Sequence, residues 1–197
     1  TETVSINHSY RQEFLASNQA QKLDQAIAAM FDSMSHPFNR TTWPDCKPSE
    51  KHKVLSICVP SYNVQAYLDR CLLSIINSGV AEKIEVLVVN DGSTDNTREI
   101  ALAYEEHYPD IVKLVDKANG GHGSTINTAI PLASGDYFRV LDGDDWLNPR
   151  DLYKFIHALE TLSEPVDIIS SDYVQIDINS GKLNPIKKKS PEIEYGK

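Results

Sequence analysis

Three carboxylates stand within four residues in Asp142–Gly143–Asp144–Asp145, and a fourth, Asp91, follows the apolar run IEVLVV and Asn90. Acids packed this closely repel one another, and the basic residues near the triplet are Arg139 and Arg150. A helix N-terminus is served by one acid, not three. Clustered acids at a strand end instead pair with a divalent cation, and hard oxygen ligands suit Mg2+ or Mn2+. An EF-hand is excluded at both places. Counting from Asp91, the sixth and twelfth positions are Asn96 and Leu102; counting from Asp142 they are Leu147 and Tyr153, where Gly and Glu are required. The chain also contains no GxxxxGK[ST] phosphate loop.

Four polar stretches follow apolar runs: PSYN at 60–63, NDGSTDN at 90–96, KANGGHGST at 117–125 and DGDDWLNP at 142–149. Local roles account for part of them. Pro60 ends a strand and Asn63 caps the next helix. Gly92 permits a tight turn, and Thr94 or Asp95 caps a helix starting near Thr97. None of these roles needs Asp91, which is therefore directed at a ligand. GGHGSTI is a degenerate dinucleotide fingerprint, because Ile126 holds the third glycine position and the stretch opens the third strand–helix unit. Its glycines still require a sharp turn or close backbone approach, and the following helix N-terminus would suit phosphate. His122 reads either as a polar loop residue or as a phosphate contact.

The elements that carry these stretches alternate. Apolar runs VLSICV, IEVLVV, IVKLV, YFRVL and VDIIS are separated by helical stretches near 65–78, 95–107, 122–133 and 150–161. Leu68, Leu72, Ile75 and Ile76 share one helix face, as do Leu152, Phe155, Ile156 and Leu159. This alternation predicts an α/β fold with a mainly parallel sheet flanked by helices, and ligands bind such sheets outside the carboxyl ends of the strands. Residues 1–50 read separately, as a helical extension and linker. Leu23, Ile27, Met30, Phe31 and Met34 form one helical stripe, ahead of a segment holding three prolines. The stripe could dock on residues 51–197, on a partner, or on a second copy in a homo-oligomer.

The remaining bulk properties narrow the function. The 197 residues carry a net charge of -9. Nucleic acid is thereby excluded as a nonspecific partner, and Lys187–Lys189 is read as a solvated loop. Cys46, Cys58 and Cys71 form no CxxC pair, which points to a reducing compartment, with Cys58 as a small core residue. No signal peptide and no transmembrane segment is evident, so the expected location is cytoplasmic.

Taken in order, VLSICVPSYNVQAYLDRCLLSIINS, IEVLVVNDGSTDNT, NGGHGSTINTAI and ASGDYFRVLDGDDWLNP resemble family 2 glycosyltransferases of the GT-A (Rossmann-like) fold across residues 53–175. The resemblance implies a nucleotide-sugar donor, usually a uridine diphosphate sugar, and inverting transfer to a glycan or lipid-linked acceptor in polysaccharide or cell-envelope synthesis, at the inner face of the membrane. It implies that Pro60, Ser61 and Tyr62 border the base and ribose, and that Asp91 accepts a hydrogen bond from the base. Gly120, Gly121 and His122 would line the base–diphosphate side. In the DXD motif Asp142 would lie near the ribose beside Gly143, and Asp144 would ligate Mn2+ or Mg2+ with Asp145 as its neighbour. The family's general base lies farther along than Lys197, so residues 51–197 read as the donor-binding part, without an identifiable catalytic base. Alternatives are a non-catalytic nucleotide-sugar-binding module and a nucleotidyltransferase; the latter wants a basic glycine-rich signature that VPSYNVQAYLD lacks.

Overall fold

The computed structural model describes residues 52–164, 166–177, 180 and 182–186. The helical stripe of residues 1–50, Cys46 and Lys187–Lys189 lie outside these residues. The described residues fall into two compact units, divided between Leu162 and Ser163.

The first unit is built on strands β1 (Leu55–Ser61), β2 (Ile84–Asp91), β3 (Val112–Lys117) and β4 (Tyr137–Val140). They form one parallel sheet in the order β3-β2-β1-β4. Helices α1 (Leu68–Ile76), α2 (Thr97–His107), α3 (His122–Ala129) and α4 (Pro149–Glu160) complete the expected α/β alternation. Both sheet faces are covered. Leu55, Ile57, Val59, Val86 and Val88 enter a core with Leu68, Leu72, Ile75, Ile100, Tyr104, Leu152 and Ile156 from α1, α2 and α4. Cys58, Leu87 and Val89 face the other way and pack with Ala129 at the end of α3. Two-sided burial explains why the strands read as unbroken apolar runs. Both helix stripes expected from the sequence are core, with Phe155 partly buried.

Strand order sets the functional edge. From β1 the chain adds β2 and then β3 on one side, and next returns to place β4 on the other side of β1. The reversal makes a crevice at the carboxyl ends of β1 and β4, where ligands bind in open α/β sheets.

Two local expectations are corrected. Pro60 does not end its strand: β1 runs through it, with Pro60 paired to Val89. The missing N–H costs little there, because Pro60 O faces the β4 side, where it accepts from Gly143 N, and the β4 ladder has already stopped at Cys58↔Val140. Likewise VDIIS is not a strand. Residues 166–170 carry no strand pairing, and Ile168 is 85% exposed. They belong to the second unit, in which β5 (Tyr173–Ile176) and β6 (Leu183–Ile186) form the antiparallel hairpin anticipated in SSDYVQIDINSGK.

Candidate functional site

The four polar stretches are tied together at the carboxyl edge. Gly92 adopts φ +69°, which L side chains rarely accept, and turns the chain out of β2. Asn63 is the non-glycine counterpart, at φ +54°. It is not a helix cap, since α1 begins only at Leu68. Instead Asn63 N donates to Ser93 Oγ, and Asn63 Oδ1 accepts from Thr94 N at 2.8 Å, clasping the turn after β1 to the turn after β2. The N-cap of α2 is Asn96, which makes no side-chain capping bond, so neither Thr94 nor Asp95 holds the expected cap position; one residue earlier, Asp95 Oδ1 accepts from Thr97 N at 2.9 Å, while Oδ2 accepts from Gln65 N.

Asp91 closes β2, is 3% exposed, and has a structural task the sequence does not reveal. Its Oδ1 accepts from the Lys117 ammonium and from Gly120 N at 2.9 Å; its Oδ2 accepts from Gly121 N at 2.8 Å. Burial alone would raise this carboxyl, but the Lys117 bond and the two backbone N–H groups overcome that and hold it below the usual carboxylate range. Asp91 thus shapes the glycine loop. Nearby, Asn90 Nδ2 donates to Asp116 Oδ1, and Arg98 Nε donates to Asp116 Oδ2.

That loop delivers the N-terminus of α3 to the edge, with Gly121 at φ +83°. His122, the first residue of α3, places Nε2 2.8 Å from Asp142 Oδ1. Thr125, within the helical stretch expected at 122–133, is buried and donates its hydroxyl to His122 O.

The acidic turn rests on β1 and α1. Gly143 N donates to Pro60 O, and a Cβ at Gly143 would meet that oxygen at 3.1 Å and Val64 Cγ2 at 3.0 Å. Ser74 Oγ accepts from Leu147 N, and the Arg70 guanidinium lies 4.9 Å from the Trp146 ring centroid. Asn148 caps α4 by accepting from Arg150 N and Asp151 N, with Pro149 in the first turn. Ser61 is buried and donates to Val59 O, whereas Tyr62, the residue after β1, is 51% exposed.

Asp142, Asp144 and Asp145 remain exposed to solvent. Partial withdrawal from water, then Asp144 and Asp142, push the Asp145 carboxyl up to about 6, with Arg139 acting the other way. Asp144 is also raised, by partial burial and by Asp142, against a backbone N–H bond that lowers it. Such a cluster gains from a cation. Among the described residues no three His, Cys, Asp or Glu side chains are arranged as a metal cage. Mg2+ typically takes one or two carboxylates and completes its shell with phosphate oxygens and water, so the donor set fits that use. Beneath the turn, Cys58 is buried, and burial followed by Asp142 pushes its thiol up to about 11, in keeping with an inert core residue.

A family model described as glycosyl transferase family 2 matches residues 56–195. The chain belongs to this family. Three relatives of this family 2 chain show the range. A glycosyltransferase of Nostoc sp. is 31% identical over 128 residues, covering 62% of this chain and 39% of the relative. The chondroitin synthase of Pasteurella multocida is 41% identical over 103 residues, covering 51% and 10%. The hyaluronan synthase of the same organism is 42% identical over 96 residues, covering 49% and 10%. The chain spans less than half the length of each.

Two solved structures overlap the family 2 chain in part. TarS 1-349 of S. aureus in complex with UDP-GlcNAc is 30% identical, with TM-score 0.43 over 54% of this chain and 31% of that one. A mannosyltransferase of Pyrobaculum calidifontis in complex with GDP-Man and Mn2+ is 25% identical, with TM-score 0.46 over 75% and 45%. Among the described residues of the family 2 chain, no helix is long and apolar enough to cross a membrane.

Proposed function

We propose that residues 51–197 form the GT-A donor-binding domain of a metal-dependent inverting glycosyltransferase that takes a uridine diphosphate sugar, with residues 1–50 as a helical extension. The acceptor is a glycan or lipid-linked glycan of polysaccharide or cell-envelope synthesis, met on the cytoplasmic side, peripheral to the membrane. One observation carries the reading: hydrogen bonds join all four strand-end stretches at the carboxyl edge. Asn63 reaches Thr94, Asp91 reaches Gly120 and Gly121, His122 meets Asp142, and Gly143 meets Pro60.

In this assignment Tyr62 covers the base, with Pro60 and Ser61 forming the floor beneath it and the ribose. Asp91 accepts an N–H from the base. The N–H groups at the start of α3, with His122, receive the diphosphate. Asp142 holds the ribose, Gly143 keeps the turn close to β1, and Asp144 holds the cation with Asp145 beside it. A bound divalent cation neutralises charge on the leaving diphosphate. The chain's own contribution is to fix the donor so that the anomeric carbon presents one face to the acceptor. None of its residues is assigned as the general base.

The test is calorimetric titration of uridine diphosphate with Mn2+, then with chelator, on wild type and Asp144→Asn. Binding should need the metal and weaken at least about tenfold in Asp144→Asn, a loss of about 1.4 kcal/mol. Equal binding with and without metal would remove Asp144 from the assigned role.

A further inference from the structure

Arg139 is the basic residue nearest the acidic turn in sequence, and it has no part in the donor site assigned above. It lies on β4 opposite Ile57 of β1, and register partners in a parallel sheet face the same side. Ile57 enters the core formed with α1, α2 and α4, as does Leu141, two residues beyond Arg139. The acidic turn folds back over that same face. Asp145 N donates to Asp142 O at 2.9 Å, and the chain then brings Trp146 beside Arg70 of α1 and Leu147 N to Ser74 Oγ. Arg139 therefore stands on the face toward which the end of the turn is drawn.

The Arg139 side chain is partly buried, yet among the described residues its guanidinium makes no hydrogen bond and no ion pair. Five N–H donors without an acceptor are unusual in a side chain withdrawn from water. Its charge is felt all the same. Burial, then Asp144 and Asp142, push the Asp145 carboxyl up, and Arg139 pulls it down. This is attraction without contact. A guanidinium clamped on Asp145 would occupy the oxygens that a cation needs; one held nearby leaves them free and weakens the negative potential around them.

We propose that Arg139 is a positioning residue of the cation site, a fixed positive charge that disfavours a divalent cation on the acidic turn until a diphosphate joins it. This rests on the donor-site reading above. Three ionised carboxylates, one guanidinium and one divalent cation together make a neutral turn, on which a diphosphate can be seated. Without the guanidinium the cation would bind more tightly alone, and the loaded turn would keep one negative charge toward the incoming phosphates.

The probes are Mn2+ alone and uridine diphosphate added to the Mn2+-loaded protein, on the 197-residue chain at about pH 7.5, where carboxylates are ionised. Electron paramagnetic resonance reads free Mn2+, and calorimetry reads nucleotide binding. Arg139→Met should bind Mn2+ alone at least about fivefold more tightly than wild type, the scale of one unit charge acting on a divalent ion through wet protein surface. The loaded variant should bind uridine diphosphate at least about fivefold more weakly, for the same reason with the sign reversed. Arg139→Lys should behave as wild type, and added salt should narrow both differences. Opposite signs separate charge from structure, since damage to the turn weakens both ligands together. Arg139→Gln, neutral and polar, takes the place of the Met variant should that one not fold. If wild type binds uridine diphosphate with Mn2+ but either sign is missing in the neutral variant, the Arg139 proposal falls and the donor site stands. If wild type takes up no Mn2+ with or without nucleotide, the cation reading fails, and the proposal with it.

Discussion

His122 Nε2 lies 2.8 Å from Asp142 Oδ1, so the start of α3 touches the turn after β4 although β3 and β4 are the two outermost strands of the sheet. The contact is possible because α3 crosses the face of β2 and β1 on its way between them.

Both side chains of that pair are more than half exposed, and a contact so wet adds about 0–1 kcal/mol to stability. His122→Ala should therefore melt within about 3 °C of wild type. Its affinity for uridine diphosphate should fall roughly fivefold, near 1 kcal/mol, since the residue also faces the assigned diphosphate. Thermal melting and titration on the same preparation check both halves. A large drop in melting temperature with unchanged affinity would give the pair to stability alone.

Asp91 carries a pH signature. Its folded-state carboxyl sits below the usual range, so it adds stability that is present above the unfolded value of about 3.9 and is lost as pH falls through the folded value. At pH 7, Asp91→Asn should cost about 3 kcal/mol, because it leaves the largely buried Lys117 ammonium without its counter-charge. Urea titrations of both proteins at pH 7 and again below pH 4 measure the gap. It should narrow at the lower pH; a constant gap would mean that the carboxylate charge is not what the loop relies on.

Two glycines should respond in opposite ways. A Cβ at Gly135 would come within 2.6 Å of Ser56 N and 2.8 Å of Leu55 C, both backbone atoms at the edge of the sheet away from the site. Gly135→Ala should therefore cost about 2–3 kcal/mol, as overpacking against backbone does. Gly123 has nothing within 4 Å of its ideal Cβ and lies in α3. Gly123→Ala should be neutral or stabilise by up to about 1 kcal/mol. Denaturant midpoints of the two variants decide the point.

The sheet and its helices were legible because burial on both faces leaves continuous apolar runs, and because each long helix shows one apolar stripe. Leu68, Leu72, Ile75, Leu152 and Ile156 lie where that pattern puts them. What escaped was set by partners distant in the chain. Pro60 looks like a strand terminator until β4 is seen to stop beside it. Asn63 looks like a cap until its left-handed backbone aims it at Thr94. The Val166–Ser170 run has strand composition but no ladder to join among the described residues. Lys117 gave no local signal at all, since its link to Asp91 exists only in the register of β2 against β3.

The placement of β4 also orders the assembly of the molecule in time. β1, β2 and β3 join neighbours in sequence through single crossovers, whereas β4 must find β1 after two intervening strand–helix units have been made. Closing the longer loop costs more chain entropy, and pairings of high sequence separation form slowly. During synthesis the first three strands can collapse while the acidic turn is still being made, and the crevice between β1 and β4 comes into being only when that last strand docks. Folding intermediates with β1 to β3 in place would expose one edge of β1 and lack the Asp142–Asp145 turn, so nucleotide protection against unfolding should appear late, in step with β4.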